Sequence, residues 1–338
     1  MPVSAKCKES EMVRKSRKYL LGIDIGGTKI LTAVLDKQFR VHGERKVSVN
    51  ADKGERVFFK SLIGSIRKVL AESRTSLSNV LAMGVGCPGI IEVPEGVVKM
   101  ASNLPFLKSC PLQDKLRKRF GIPVVVENDV NVGLYGEHQL GAARGFKHVF
   151  GLFLGTGVGG AFILDGKLYH GATGAAGEIG RTFLSVPSFL SGTRKTCTVD
   201  AFLGRFAIST EAVYLILKQK ATHLFHAVGY DVKKIKSNTL ARAIRAGDTV
   251  LENLILNKAK LLGITMANVA DLLNPDAIIL GGGLIEAMGD LIIPEARKTM
   301  RRYGLGPVVK SVKVLPAKLK DHSIVKGAAK LAYDAFAR

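Results

Sequence analysis

The chain repeats itself. Leu21 to Phe39, LGIDIGGTKILTAVLDKQF, aligns without a gap with Phe150 to Leu168, FGLFLGTGVGGAFILDGKL, 129 residues further on. Gly22 falls on Gly151, Gly26 on Gly155, Leu35 on Leu164 and Asp36 on Asp165. Each copy reads as an apolar strand, a glycine turn, a second apolar strand and a polar turn. Glycine turns between apolar runs are common in unrelated hairpins. An ungapped match over the whole stretch favours two related α/β halves.

The surrounding segments fit that plan. GERVFFKSLIGSIRKVLAES has helical periodicity, and NVLAMGVGCPGII is a strand entering a Gly/Pro turn. GIPVVVENDVNVGLYGEHQLGAARG reads as a buried strand, a polar turn and a helix. LENLILNKAKLLGITMANVADLLN is a long amphipathic helix that must stop at Asn274-Pro275, where proline cannot continue it. DAIILGGGLIEA gives strand, triple glycine and helix, and SIVKGAAKLAYDAFA a terminal helix. Strands alternating with helices predict α/β layers. The 338 residues amount to about two domains, and 47% hydrophobic residues supply a large core.

Several classes drop out. No apolar run approaches the roughly 20 residues of a membrane span. The N-terminal stretch MPVSAKCKESEMVRKSRKY is basic but has no apolar core, which argues against a secretory signal. Cys7, Cys87, Cys110 and Cys197 are scattered, with no CxxC pair. That pattern fits a reducing cytoplasm rather than a disulfide framework. The net charge of +22 is spread along the chain. It reads first as a solvated basic surface and second as an attractor of polyanions. No zinc-finger or RNP pattern supports nucleic acid, and the first 19 residues leave no room for a two-helix DNA-reading unit.

The chemistry lies at strand ends. Three glycine turns stand there: Gly26-Gly27-Thr28, Gly155-Thr156-Gly157-Val158-Gly159-Gly160 and Gly281-Gly282-Gly283. Glycine lets backbone approach a ligand closely, and successive N–H groups form an anion-binding nest. None fits a Walker loop, and no GxGxxG opens a helix. Each alone is equally a tight turn. Asp24 precedes the first glycine pair, where it can bind Mg²⁺ through water or cap its own turn. Glu127-Asn128-Asp129 follows a strand, where α/β proteins bind ligands; an N-cap for the next helix is the competing role.

Taken together these stretches resemble the ROK sugar kinases of the actin-like/hexokinase ATPase superfamily. The resemblance runs from about Tyr19 to the C-terminus. It is carried by DIGGTKI, GVGCPG, SNLPF, ENDVN, LGAARG, LGTGVGG, GATGAAGEIG and NPDAIILGGG, in that order. It implies two actin-like ATPase (ribonuclease H-like) lobes with a cleft between them. A basic, disordered extension would occupy 1–18, a small lobe 19–130 completed by a C-terminal helix at 322–338, and a large lobe 131–321. It implies an ATP- and Mg²⁺-dependent kinase acting on the 6-hydroxyl of a hexose, glucose first, in a cytoplasmic homodimer. Asp129 would be the general base. Asn103, Asn128, Glu178, Arg181 and Asp200 would join it in holding the sugar. Asp24, Gly26, Gly27, Thr28 and Lys29 would hold phosphate with Gly155, Thr156, Gly157 and Gly159, and Gly281, Gly282 and Gly283 would lie near the adenosine. The alternatives are a polyphosphate donor, a mannose, fructose or N-acetylhexosamine acceptor, and a non-catalytic sugar-responsive regulator.

One segment departs from the family. Zinc-binding members follow GEIG with a histidine and a cysteine-rich stretch. Here Arg181 stands at the histidine position, and Ser191, Thr193 and Thr198 where cysteines would be, with Cys197 one place off. Such a set cannot make the tetrahedral N/S site zinc prefers, so no zinc is expected. Arg181 can reach the anomeric oxygen, pair with Glu178 or Asp200, or face solvent. Asp200 is one methylene shorter than the family's glutamate. The seven histidines form no ligand pattern; His223 and His226 lie three apart on a predicted helix.

Overall fold

A computed structural model describes residues 17–187 and 194–337. The chain divides into two compact units. The first holds the chain up to Arg144, His170–Ala176 and everything from Asp321 onward; the second holds Gly145–Tyr169 and Gly177–Lys320. The expected N-terminal extension lies outside the described residues up to position 16.

In the first unit β1 (Tyr19–Ile25), β2 (Lys29–Asp36) and β3 (Val41–Ser48) form an antiparallel meander. Helix α1 (Gly54–Glu72) follows and buries Phe58, Leu62, Ile66 and Val69 on one stripe. Next come β4 (Val80–Cys87), the small hairpin β5 (Ile90–Glu92) and β6 (Val97–Met100), α2 (Leu112–Phe120), β7 (Val124–Asn128) and α3 (Asp129–Leu140). The sheet order is β3-β2-β1-β4-β7, with β4 parallel to both β1 and β7. Every residue of β4 is buried, as a strand covered on both faces requires. β3 instead alternates exposed and half-buried residues, and Glu44, Arg45 and Lys46 blunt it as an edge strand.

In the second unit β8 (Val149–Leu154), β9 (Val158–Leu164) and β10 (Lys167–Leu168) repeat the meander. A hairpin of β11 (Phe183–Pro187) and β12 (Arg194–Thr198) leads into helices α4 (Val199–Leu203), α5 (Arg205–Leu217), α6 (Thr222–Val228), α7 (Ser237–Arg245) and α8 (Thr249–Leu273). Then follow β13 (Ala277–Gly281), α9 (Gly283–Tyr303), α10 (Gly306–Ser311) and β14 (Lys313–Pro316). The order β10-β9-β8-β13-β14, with the last three strands parallel, matches the first sheet strand for strand. The register of the repeat also holds: β1 ends at Ile25 and β8 at Leu154, while β2 starts at Lys29 and β9 at Val158. Helix α8 ends where the sequence predicts, on Asn274 in the left-handed region (φ 43°) ahead of Pro275.

The last helix, α11 (Ser323–Phe336), belongs to the first unit, where it packs on β1, β4 and α3. Glycines make that close approach possible. A Cβ on Gly22 would collide with the Val325 carbonyl, one on Gly84 with the Ala328 carbonyl, and one on Gly327 with the Val132 carbonyl. These contacts also correct the expected boundary at 130. Because α3 packs on α11, the first unit runs on to Arg144. Gly84→Ala should cost about 3 kcal/mol through this overpacking. Denaturant unfolding would show it as a lower midpoint with an unchanged slope; wild-type stability would contradict the packing.

Candidate active site

Asp24 sits at the end of β1, one residue before the turn in which the Gly26 N–H donates to the Lys29 carbonyl at 2.9 Å. The Thr28 carbonyl accepts the Val49 N–H, which ties the turn to the end of β3. Burial pushes the Asp24 carboxyl up from 3.8 to about 7; the negative charges of Asp129 and Asp321 push the same way, and Lys46 opposes them weakly. Two further residues close in. A Cβ on Gly27 would stand 3.4 Å from the Asn103 side chain, and one on Gly86 3.4 Å from the Asp129 Cα. The first unit therefore gathers Asp24, the glycine turn, Asn103 and Asp129, which are up to about a hundred residues apart in sequence.

The β7–α3 junction gives Asp129 its setting. Asn128 is the N-cap of α3, and its Oδ1 accepts the N–H groups of Val130 and Asn131 at 2.9 and 3.0 Å. Its Nδ2 donates to the Gly89 carbonyl at 2.9 Å. The capping role is thus real, and it leaves one amide hydrogen for a ligand. Asp129 occupies the first turn, and its Oδ1 accepts the Val130 N–H at 3.0 Å. A carboxylate at a helix N-terminus is favoured by the exposed N–H groups there.

Beneath the turn lies a pairing that sequence reasoning missed. His170 Nε2 lies 2.6 Å from Glu127 Oε2. The other carboxylate oxygen, Oε1, accepts the Asn128 N–H at 2.7 Å and the Asn131 side-chain amide at 3.0 Å. Glu127 is buried, and the hydrogen bond to it holds the His170 pKa above its ordinary value against the effect of burial. Glu127 braces the backbone on which Asp129 stands, and His170 braces Glu127. The sequence carried no signal for this, since the two residues are 43 positions apart.

In the second unit the Gly155 N–H donates to the Gly157 carbonyl at 2.8 Å, closing the second glycine turn. Asp200 Oδ1 accepts the Val158 N–H at 2.6 Å. A Cβ on Gly157 would come within 2.5 Å of that oxygen, so a larger residue there would push the Asp200 carboxylate off the Val158 N–H. Asp200, which the resemblance implies at the sugar, has its Oδ1 engaged by this turn. Arg205 adds a cation that sequence reasoning overlooked, donating from Nη2 to Thr156 Oγ1 at 3.1 Å. The GEIG segment lies against β9: a Cβ on Gly160 would be 2.6 Å from the Gly177 carbonyl, and one on Gly180 would strike the Val158 carbonyl. Glu178 and Arg181 are exposed, with Nε and Oε2 4.0 Å apart. At that length and exposure the pair contributes little.

The third glycine turn opens α9. Gly282 is its N-cap at φ 86°, and a Cβ there would meet the Leu154 backbone. Beside it lies a cavity of about 620 Å³ lined by Gly281, Ile285, Arg245, Arg297 and Pro316 among others. Cavities of this size suit small-molecule ligands. Of the residues at the family's zinc positions, Ser191 and Thr193 lie outside the described residues. Thr198 caps α4 through the Ala201 N–H at 3.2 Å.

The sequence profile of the ROK family matches residues 20–335. The chain belongs to the ROK family. Among ROK relatives, a glucokinase of Halalkalibacterium halodurans is 31% identical over 317 residues, covering 92% of this chain and 94% of its own. A glucokinase of Streptomyces coelicolor is 30% identical over 320 residues, covering 92% and 96%. Among solved structures, a ROK family glucokinase from Streptomyces griseus in complex with glucose and AMPPNP matches with a TM-score of 0.81 at 29% identity, over 94% of this chain and 99% of that one. The ROK fold is the pair of matching α/β sheets described above, of the actin-like ATPase kind.

Proposed function

We propose that this protein is an ATP-dependent glucokinase that transfers the γ-phosphoryl group of ATP to the 6-hydroxyl of glucose. The observation that carries the reading is the likeness, over 94% of the chain, to a ROK glucokinase solved with glucose and AMPPNP. In this reading Asp129 accepts the proton of the attacking hydroxyl, which needs a base within hydrogen-bond reach. Asn103, Asn128, Glu178 and Arg181 bind the other hydroxyls of the sugar. The turns Asp24–Lys29 and Gly155–Gly160 cradle phosphate oxygens, with Asp200 and Arg205 holding the second turn in shape. The cavity beside Gly281–Gly283 takes the nucleoside. Phosphoryl transfer depends chiefly on such positioning and on charge neutralisation.

Mg²⁺ fits the residues present. Asp24 is a hard oxygen donor whose carboxyl is pushed up by burial and by neighbouring carboxylates, a setting that a dication relieves. Held by Asp24 through water, Mg²⁺ would neutralise charge on the transferring phosphate. We infer no zinc at the GEIG segment, because Arg181 takes a ligand position and Thr198 is used as a helix cap. The reading places the protein in the cytoplasm as a homodimer. The free cysteines Cys87, Cys110 and Cys197 are in keeping with that location, and none of the described helices is long and apolar enough to cross a membrane.

A coupled kinase assay over a panel of hexoses, with ATP and with polyphosphate as donors, tests the reading. The highest kcat/KM is expected for glucose with ATP, and metal analysis of the same sample should find zinc well below stoichiometric. Absence of turnover with every hexose would refute the kinase, and stoichiometric zinc would refute the metal assignment.

A further inference from the structure

A second cavity, in the first unit, has no part in the chemistry above. Its volume is about 630 Å³, and it lies along one face of α1 between the end of β3 and the end of α2. Its charged lining is cationic throughout: Lys60, Arg67 and Lys68 from α1 and Arg119 from the last turn of α2. The three α1 cations follow helical spacing, so they share a face with Gly64 between them. Nothing lies within 4 Å of where a Gly64 Cβ would be, so the middle of the face is open.

These cations differ from their neighbours on the same two helices. Lys115 of α2 pairs with Glu55 of α1 at 2.6 Å, and Arg117 pairs with Asp114 at 2.8 Å. Among the described residues no carboxylate pairs with Lys60, Arg67, Lys68 or Arg119, and no carboxylate lines the cavity. A basic excess spread over a convex surface is solvated and asks for no partner. Four unpaired cations around one concavity repel one another and are relieved by a ligand of opposite charge. Ser48, Asn50 and Ser61 add side-chain hydrogen-bonding groups to the lining.

We propose that this cavity is a binding site for an oligophosphate, a small anion carrying several phosphate groups. Guanidinium groups and ammonium groups are the side chains that recognise phosphate, through charge-assisted hydrogen bonds. The cavity's rim adjoins the first glycine turn. Ser48 pairs with Lys29 across the β2–β3 ladder, and the next residue, Val49, donates to Thr28. The ligand class fits two sources: inorganic polyphosphate and a nucleoside triphosphate. Their chain length and bulk separate them.

Isothermal titration of the full chain with inorganic tripolyphosphate and ATP, in 0.1 M salt, tests the site, with glucose 6-phosphate as the single-phosphate control. Two variants read it: Arg67→Ala/Lys68→Ala and Lys60→Ala/Arg119→Ala. All four side chains are exposed, so both variants should melt like the wild type. Tripolyphosphate or ATP should bind the wild type and bind each variant about tenfold or more weakly, the loss expected from removing charge-assisted hydrogen bonds. The KM for any nucleotide donor should stay within about twofold of wild type, since none of the four residues touches the phosphate turns. The ligand that loses most identifies the source. Equal affinity of tripolyphosphate and ATP in wild type and both variants, or binding of neither to the wild type, would overturn the proposal.

Discussion

Asp129→Asn should lower kcat by about 10²–10⁴-fold while the protein melts at the wild-type temperature. The amide keeps the acceptor that takes the Val130 N–H, so the first turn of α3 is preserved. It loses the basicity that removes the hydroxyl proton. The KM for glucose should change far less than kcat, because Asn103, Asn128 and Glu178 still hold the sugar in this account. Steady-state kinetics beside a thermal melt would separate the two effects. A variant with near-native kcat would remove Asp129 as the base; one that melts well below wild type would make it a structural residue.

Asp24→Asn should do something less common: lower activity and raise stability. Burial, Asp129 and Asp321 hold the folded Asp24 pKa at about 7, above its ordinary 3.8. Between those two values the folded state binds the proton more tightly than the unfolded state. Stability therefore falls as pH rises through that window, and the full penalty is present above about pH 7. Removing the charge should return on the order of 2–4 kcal/mol at pH 8 and progressively less toward pH 5. Turnover should fall by about 10²-fold or more, because the carboxylate that would hold Mg²⁺ beside the phosphates is gone. Melts of both proteins at pH 5.5 and pH 8, with no metal added, check the sign. A gain that is larger at pH 5.5, or a loss at pH 8, would contradict the electrostatic origin.

These two aspartates show what could be read from the sequence and what could not. The halves were legible because a strand, a glycine turn and a second strand are local patterns, and both copies keep them in register from Ile25 to Leu154. The turn Glu127-Asn128-Asp129 was legible as a strand end, but its two readings were not alternatives. Asn128 caps α3 and still keeps an amide hydrogen for a ligand. The brace of His170 on Glu127 was invisible, since it is a tertiary contact between residues with no shared pattern. The place of α11 was read from the family resemblance alone. What seats it is backbone contact through Gly22, Gly84 and Gly327, which a sequence shows only as three unremarkable glycines. The resemblance implies that Asp200 holds the sugar; the structure adds that its Oδ1 accepts the Val158 N–H in the second turn, a contact the sequence does not announce.

The most direct test of the account follows the phosphorus atom. Purified protein incubated with ATP, Mg²⁺ and glucose should give, by ³¹P NMR, loss of the ATP γ resonance and growth of a glucose 6-phosphate resonance. Neither change should occur without glucose. Release of inorganic phosphate in place of the sugar phosphate, or an ATP spectrum that does not change, would contradict the claim that this protein is a glucokinase.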